Sequence, residues 1–207
     1  MAGPKPSPRL QGLETLLAGG AEPGAVLLAG AGDDGPRVAV TALPTPLGPM
    51  IAGTSEETVH LLEYTEPGRL EGQLRRLAAR RPCTLVSGAN EMTARLAAEL
   101  EAYFAGRLEE FTVPVATRGT PFQEQVWRHL REVPYGTTAT YGELARRIGR
   151  PKAVRAVARA NGDNRLAILV PCHRIVGSDG SLTGYGGGLW RKQRLLELEG
   201  ARLDFGA

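Results

Sequence analysis

The chain has 207 residues, of which 42% are hydrophobic and 5% aromatic, and this length suits one or two small domains. Its two cysteines lie far apart, and no apolar segment is long enough to cross a bilayer, which argues against a disulfide-stapled scaffold and a membrane-spanning protein. Residues 1–117 carry 10 Lys and Arg against 14 Asp and Glu, whereas residues 118–207 carry 15 against 8. The basic C-terminal part indicates a polyanionic partner, although a solvated basic face explains the composition equally well.

The chain begins with a segment rich in Gly, Pro and Ala. Residues 1–36 read as a loose extension of unknown role, with one candidate short helix at Leu10–Leu17. No secretory signal is recognisable there, so we expect a protein of the reducing cytoplasm.

The next segment has the pattern of a small α/β domain, which we place at residues 37–116. Arg37–Tyr64 predicts short strands around a proline-rich turn, and helical periodicity follows in Arg69–Arg81 and Glu91–Phe104. Phe111–Ala116 is expected to form a strand or a linker into the remaining domain, residues 117–207.

The C-terminal segment contains two capping boxes. Thr120 is followed by proline at the first helical position and by glutamine at the third, which predicts a helix through Leu130. Thr140 and Glu143 repeat the pattern and predict a second helix that stops at Gly149.

Pro151 is predicted to open a further helix, Lys152–Ala160, across a glycine turn from its predecessor. The pair has a helix-turn-helix pattern, and an ordinary helical hairpin remains the alternative. We expect Val154, Val157 and Ala158 to face the core. The rest of the helix offers methyl groups and arginines, a composition that suits close approach to a narrow minor groove.

The apolar run Leu166–Val170, bounded by proline, predicts a short buried strand that leads into Cys172. Neighbouring cationic or proton-accepting groups such as His173 and Arg174 lower the pKa of a thiol and favour the thiolate. A lone cysteine is, however, more often a small buried hydrophobe. Adjacent side chains on an extended backbone also point to opposite faces, so a water could bridge Cys172 and His173.

A glycine-rich loop, Ser178–Gly188, follows and leads into a helical pattern, Leu189–Gly200. Glycines permit positive φ and close approach of the backbone to a ligand. The loop fits neither a P-loop nor a dinucleotide fingerprint, and a phosphate cradle or a flexible lid both remain open.

Pro171–Ile175, together with the Asn164 turn upstream and the Gly-Tyr-Gly-Gly-Gly loop downstream, closely resembles the O6-alkylguanine-DNA alkyltransferases. The resemblance is strong over residues 101–202 and weaker over Thr45–Tyr64. It implies an α/β (α+β) fold, with a small N-terminal α/β domain and a mostly helical C-terminal domain that contains a winged-helix-like helix-turn-helix and a short active-site strand.

The resemblance also implies direct DNA repair. The alkyl group of O6-alkylguanine, and of O4-alkylthymine, would be transferred irreversibly to Cys172 in a single turnover. The implied partner is double-stranded DNA, bound through the minor groove with the target base flipped out, by a monomer that needs no cofactor. Some relatives carry zinc in the N-terminal domain, but Cys83 and His60 are the only soft ligands in this half of the chain, where about four are needed.

Site residues are implied position by position. Cys172 would be the alkyl acceptor, His173 its base through a water, Glu199 the group that orients His173, and Tyr141 the proton donor to the leaving base. The DNA-binding residues would be Arg155 as the finger that replaces the flipped base, with Ala153, Ala156, Arg159 and Tyr141. The substrate pocket would be formed by Asn164, Pro171, Ile175, Tyr185 and Gly186.

The chain departs from the family pattern at a few positions. Arg165 stands where proline commonly follows the asparagine, and Ala158-Arg159 replaces a Gly-Ala type pair. Gly186 offers no hydroxyl to O6, and its small size would open the pocket to larger alkyl groups.

Three other functions are compatible with parts of the sequence. A non-catalytic lesion sensor of the same fold would lack the acceptor cysteine. A helix-turn-helix regulator would not explain the Cys172 motif. A cysteine hydrolase would turn over through an acyl intermediate and would have no use for the helix that carries Arg155.

Overall fold

A computed structural model of the chain describes residues 22–24, 26–28, 36–66, 68–80 and 83–201. The helix predicted at Leu10–Leu17 lies outside the described residues. No helix within the described ranges is both long and apolar enough to cross a membrane.

Five strands form one mixed sheet in the N-terminal half. The strands are β1 (Val26–Leu28), β2 (Arg37–Leu43), β3 (Met50–Thr54), β4 (Val59–Tyr64) and β5 (Thr84–Ser87). Their order across the sheet is β1-β5-β2-β3-β4, and of the paired strands only β2 and β5 run parallel. The short strands predicted between residues 37 and 64 are confirmed.

Each face of this sheet is covered by one helix. Successive side chains of β3 and β4 point to opposite faces and are all buried, so both faces need a cover. Helix α1 (Arg69–Arg80) covers the face that carries Ile51 and Leu61. Helix α2 (Glu91–Phe104) covers the opposite face, which carries Leu62 and belongs to the larger core. Both helices were predicted from their periodicity within one residue of these bounds.

The C-terminal half is mostly helical. A two-stranded parallel sheet pairs β6 (Ala139–Thr140) with β7 (Ile175–Val176). Both predicted capping boxes are formed, with the side-chain oxygens of Gln123 and Glu143 accepting from the backbone N–H groups of Thr120 and Thr140. The helices are α3 (Pro121–Arg131), α4 (Tyr141–Arg147), α5 (Val154–Gly162) and α6 (Leu189–Leu198), with a 3₁₀ turn at Cys172–Arg174.

The start predicted for the helix after Pro151 was wrong. The N–H of Ala153 donates to the carbonyl of Arg150 and closes a separate turn, so α5 begins only at Val154. The first turn of α5 projects past the core, which leaves the Val154 side chain 38% exposed, contrary to expectation. Val157 is buried as expected, and Ala160 takes the inward position at the C-terminal end of the helix.

The strand predicted at Leu166–Val170 was also wrong. Only Leu166 pairs with β4, where the N–H of Leu62 donates to Arg165 and that of Ala167 donates to Leu62. The chain then turns, and the N–H of Val170 returns to the carbonyl of Leu166 at 2.8 Å. The run is apolar because it is buried, and burial alone does not distinguish an extended segment from a turn.

The larger hydrophobic core spans both halves of the chain. Trp127 and Leu130 of α3 belong to the same cluster as Leu62 of β4 and Leu96 of α2, and Leu166 joins them at the bridge to β4. The segment that leads into Cys172 is therefore fixed by packing against the N-terminal sheet.

Candidate active site

Cys172 opens the 3₁₀ turn and is 5% exposed, within the larger core. Its Sγ accepts a hydrogen bond of 3.1 Å from the side-chain amide of Asn164. Pro171, also buried, immediately precedes it. The sulfur is therefore held in one position by the backbone of the turn and by a fixed donor.

The side chain of Asn164 fixes this turn through hydrogen bonds to the backbone of neighbouring residues, as expected of an asparagine in a turn. Its Oδ1 accepts from the N–H of Leu166 at 2.9 Å, and its Nδ2 donates to the carbonyl of Val170 at 2.9 Å. The Asn164 carbonyl in turn accepts from Arg69 and Gln73 of α1, at 3.1 and 3.2 Å. The N-terminal half thus holds the turn that carries the thiol.

His173 and Glu199 form a buried pair, as the resemblance implies. Glu199 caps the C-terminal end of α6, and its Oε1 lies 2.9 Å from Nε2 of His173. Neither side chain is exposed. The other ring nitrogen, Nδ1, is buried and has no hydrogen-bond partner within the described part of the chain.

Two further side chains complete the surroundings of Glu199. Arg174 donates to both carboxylate oxygens, at 2.9 and 3.0 Å, and the hydroxyl of Tyr103 from α2 donates to Oε1 at 2.7 Å. Burial alone would raise the pKa of Glu199, but the hydrogen bonds and charges of His173 and Arg174 lower it to about 2. The carboxylate is therefore ionised and fixed.

Burial favours the neutral forms of both the thiol and the imidazole. Burial raises the pKa of Cys172, against the opposing hydrogen bond from Asn164 and the charges of Arg69 and Lys192. Burial likewise lowers the pKa of His173, against the stabilising effect of Glu199. The expectation of a lowered thiol pKa is therefore wrong, because desolvation of the sulfur outweighs its polar neighbours; deprotonation requires transfer of its proton to a neighbouring base.

Lys192 is a polar neighbour of this site that the sequence analysis missed. It is fully buried in α6, and its ammonium group donates to the carbonyls of Ile175 and, at 2.6 Å, Thr183. Burial lowers its pKa to about 8, opposed by the charge of Cys172. In the sequence Lys192 looks like the other cationic residues of an amphipathic helix. Only its burial in the structure shows that it belongs near the site.

The glycine-rich loop lies beside the thiol. The rings of Tyr185 and His173 lie edge to face with their centroids 6.4 Å apart, and the hydroxyl of Tyr185 is buried. Ile175 is fully buried directly after the 3₁₀ turn. Gly186 and Gly187 follow Tyr185 with their backbones packed against side chains of the N-terminal half. Tyr185 and Ile175 thus lie close to the 3₁₀ turn that carries Cys172, and Gly186 lies against Arg69 of the N-terminal half.

The residues implied in DNA binding lie on a separate, exposed surface. Arg155, Ala156 and Arg159 are exposed on α5, and Ala153 is half-buried at its start. The side chain of Arg155 makes no hydrogen bond or ion pair to the rest of the described chain. Tyr141 is half-buried at the first position of α4, where the helix caps on Thr140, and its hydroxyl lies near Gly184 of the pocket loop.

No group of three or more His, Cys, Asp or Glu side chains that could hold a metal ion occurs among the described residues.

Comparisons with known proteins agree with this geometry. Residues 121–201 match the family described as the 6-O-methylguanine DNA methyltransferase, DNA binding domain. A methylated-DNA–protein-cysteine methyltransferase of Mycobacterium tuberculosis is 59% identical over 104 residues, which are 50% of this chain and 63% of that protein. The match to the protein of the same name from Methanosarcina acetivorans is 44% identical over 157 residues and covers 76% of this chain and 95% of that protein.

The chain belongs to the methylated-DNA–protein-cysteine methyltransferase family. Its fold agrees with solved structures of the family. The crystal structure of Mycobacterium tuberculosis OGT in complex with DNA is 42% identical, with a TM-score of 0.66, and the match covers 79% of this chain and 92% of that one. The O6-methylguanine-DNA methyltransferase of Pyrococcus kodakaraensis is 27% identical, with a TM-score of 0.61 and 79% and 99% coverage. The expected mixed α and β architecture is confirmed.

Proposed function

We propose that the protein repairs DNA directly, by one irreversible transfer of the alkyl group from O6-alkylguanine, and from O4-alkylthymine, to Cys172. The proposal rests on one observation. The thiol of Cys172 is buried and held by Asn164, and the next residue, His173, is paired with Glu199 through Nε2 while its Nδ1 has no partner in the described chain. Triads of this kind activate a nucleophile through a base that a carboxylate orients. Family membership supports the same reaction.

The reaction balances without a cofactor. The thiol proton passes through a water to Nδ1 of His173, whose other nitrogen is held by Glu199. The thiolate attacks the alkyl carbon, a carbon–sulfur bond forms, and the bond from that carbon to O6 breaks. The electron pair of the broken bond stays on guanine, which takes a proton from Tyr141, and the proton held by His173 returns through solvent to the Tyr141 oxygen, so that no net charge is left. The thioether has no leaving group for release, so each protein molecule acts once.

The exposed surface of α5 suits a DNA duplex carrying the lesion, bound through its minor groove by a monomer. Ala153 and Ala156 allow close approach, Arg159 reaches the phosphates, and Arg155 fills the stack after the base has been extruded. Extrusion is required because Sγ is buried in a pocket that a stacked base cannot reach. This work on DNA takes place in the cytoplasm, on the nucleoid.

We propose that residues 37–116 form a domain that supports the active site, whereas residues 117–207 form the domain that carries the thiol and the DNA-binding surface. The hydrogen bonds from Arg69 and Gln73 to the carbonyl of Asn164 support this proposal, because they hold the active-site turn from the N-terminal part.

The test is incubation with a duplex containing one O6-methylguanine, followed by intact mass measurement and peptide mapping. We expect a gain of one methyl group per protein molecule, on Cys172. Cys172→Ser should abolish transfer and retain duplex binding, whereas Cys83→Ser should transfer normally. Methyl on Cys83, or repeated turnover, would contradict the proposal; binding of the lesion without transfer would indicate a sensor.

A further inference from the structure

The space next to Gly186 is filled by a side chain from the other half of the chain. A Cβ atom added at Gly186 would overlap the guanidinium of Arg69, which comes from the first turn of α1. At Gly187 an added Cβ would lie 2.6 Å from the ring of Tyr64 and 2.9 Å from that of Tyr185. The bare backbone of the loop is therefore not an open space.

Arg69 is held in this place by three acceptors. Its Nε donates to Glu63 at 2.9 Å, and its two terminal nitrogens donate to the carbonyls of Gly162 and Asn164 at 3.2 and 3.1 Å. Glu63 is 1% exposed, whereas the side chain of Arg69 is 26% exposed. The planar guanidinium is thus fixed along its edge by hydrogen bonds, while part of it remains open to solvent.

The same group is linked to the thiol through one residue. Asn164, whose carbonyl accepts from Arg69, is the residue whose amide donates to Sγ of Cys172. Among the charges around that sulfur, Arg69 opposes the effect of burial and lowers the pKa of the thiol. Arg69 therefore lies against the loop and is linked to the reacting sulfur through Asn164.

We propose that Arg69 determines which alkyl adducts fit the pocket, because its guanidinium occupies the place of a side chain at position 186 and closes that side. This inference rests on the proposed function and refines the substrate range of the same site. It replaces the expectation that small glycines leave room for larger adducts. The guanidinium of Arg69 thus fills the space that a side chain at position 186 would fill if the loop had one there.

The first test compares single-turnover rates on duplexes that carry O6-methylguanine or O6-benzylguanine. Removing Arg69 alone would leave the buried carboxylate of Glu63 without its cation, so the informative variant is Glu63→Gln/Arg69→Ala. We expect the ratio of benzyl to methyl transfer to rise about tenfold or more, since filling or emptying a pocket by a few atoms changes discrimination by about 10–200-fold.

Two matched controls accompany it. Glu63→Gln keeps the guanidinium on its two carbonyl acceptors and should leave the ratio unchanged. Arg75→Ala removes another arginine of α1, which pairs with Glu71 on the helix surface, and should also leave it unchanged. A general loss of stability lowers both rates together and does not move their ratio.

The second test uses the steric overlap directly. Gly186→Ser should displace the guanidinium and slow methyl transfer, and Gly186→Ser/Glu63→Gln/Arg69→Ala should recover the lost rate because the space is then free. Such a rescue is a coupling that independent effects do not give. An unchanged ratio together with no rescue would overturn the assignment of Arg69 while wild-type transfer to Cys172 stands. Wild-type protein without any transfer would instead overturn the proposed function, and the assignment with it.

Discussion

At position 199 one buried carboxylate connects the proposed base to the protein around it. Glu199 accepts from His173, Arg174 and Tyr103, and so fixes the ring whose other nitrogen is buried without a partner in the described chain. We predict that Glu199→Gln slows transfer about 10²–10⁴-fold, the usual effect of a positioned proton-transfer group. Single-turnover kinetics at saturating duplex check this, with duplex affinity measured in parallel. An unchanged rate would reduce Glu199 to a structural residue.

The low pKa of Glu199 also makes stability depend on pH. Because its pKa falls from 4.5 to about 2 on folding, the carboxylate contributes stability that is fully present above pH 4.5 and is lost as the pH falls towards 2. The difference in unfolding free energy between wild type and Glu199→Gln should therefore shrink as the pH is lowered through this window. Urea titrations at several pH values measure it, and a constant difference would contradict the assignment.

The residues that matter were predictable to different degrees. Cys172, His173 and Glu199 could be named from the motif and the last helix, and the structure brings them together. Tyr103 and Arg69 could not be named, since they come from the N-terminal half and reach the site only through tertiary packing. Their polar side chains look like ordinary surface residues of helices until the fold buries their partners.

Helix α5 has one side buried against the core, with Val157 and Ala160, and another side exposed. Arg155 stands on the exposed side without a partner in the described chain, beside the small side chain of Ala156. We predict that Arg155→Ala slows repair in duplex DNA about tenfold or more, because unstacking a base costs a few kcal/mol. Transfer from free O6-benzylguanine should hardly change, since that substrate needs no extrusion.

The same variant separates a finger from a simple phosphate contact. Loss of a phosphate contact weakens all duplex binding and lowers the salt dependence by about one unit of slope. Arg159→Ala is the matched comparison on the same helix and should behave in that way. Equal losses on duplex and free base in Arg155→Ala would show that Arg155 supports the fold.

The elements themselves followed from local signals wherever these were specific. Both threonine capping boxes fixed helix starts, and glycine at position 200 ended α6, because such caps satisfy backbone groups locally. Leu166–Val170 and the start at Pro151 were wrong for the opposite reason. An apolar run records burial, and a proline permits a helix start without requiring one, so tertiary contacts decided both.

At the scale of the whole molecule, the larger core joins the two halves. Trp127 packs in one cluster with Leu62 and Leu96, and Arg165 donates from the active-site turn to the carbonyls of His60 and Thr117. We therefore predict one cooperative unfolding transition, with near-UV and far-UV circular dichroism changing at the same urea concentration. Two separated transitions would show that residues 37–116 and 117–207 fold independently.

The burial of Cys172 has a consequence for the protein after it has reacted. A methyl group on Sγ adds volume at a residue that is only 5% exposed and packed within the larger core. Extra atoms in a packed interior typically cost about 1–3 kcal/mol. The methylated protein should therefore have a lower melting temperature than the unreacted protein. A melting curve would then distinguish molecules that have repaired a lesion from those that have not.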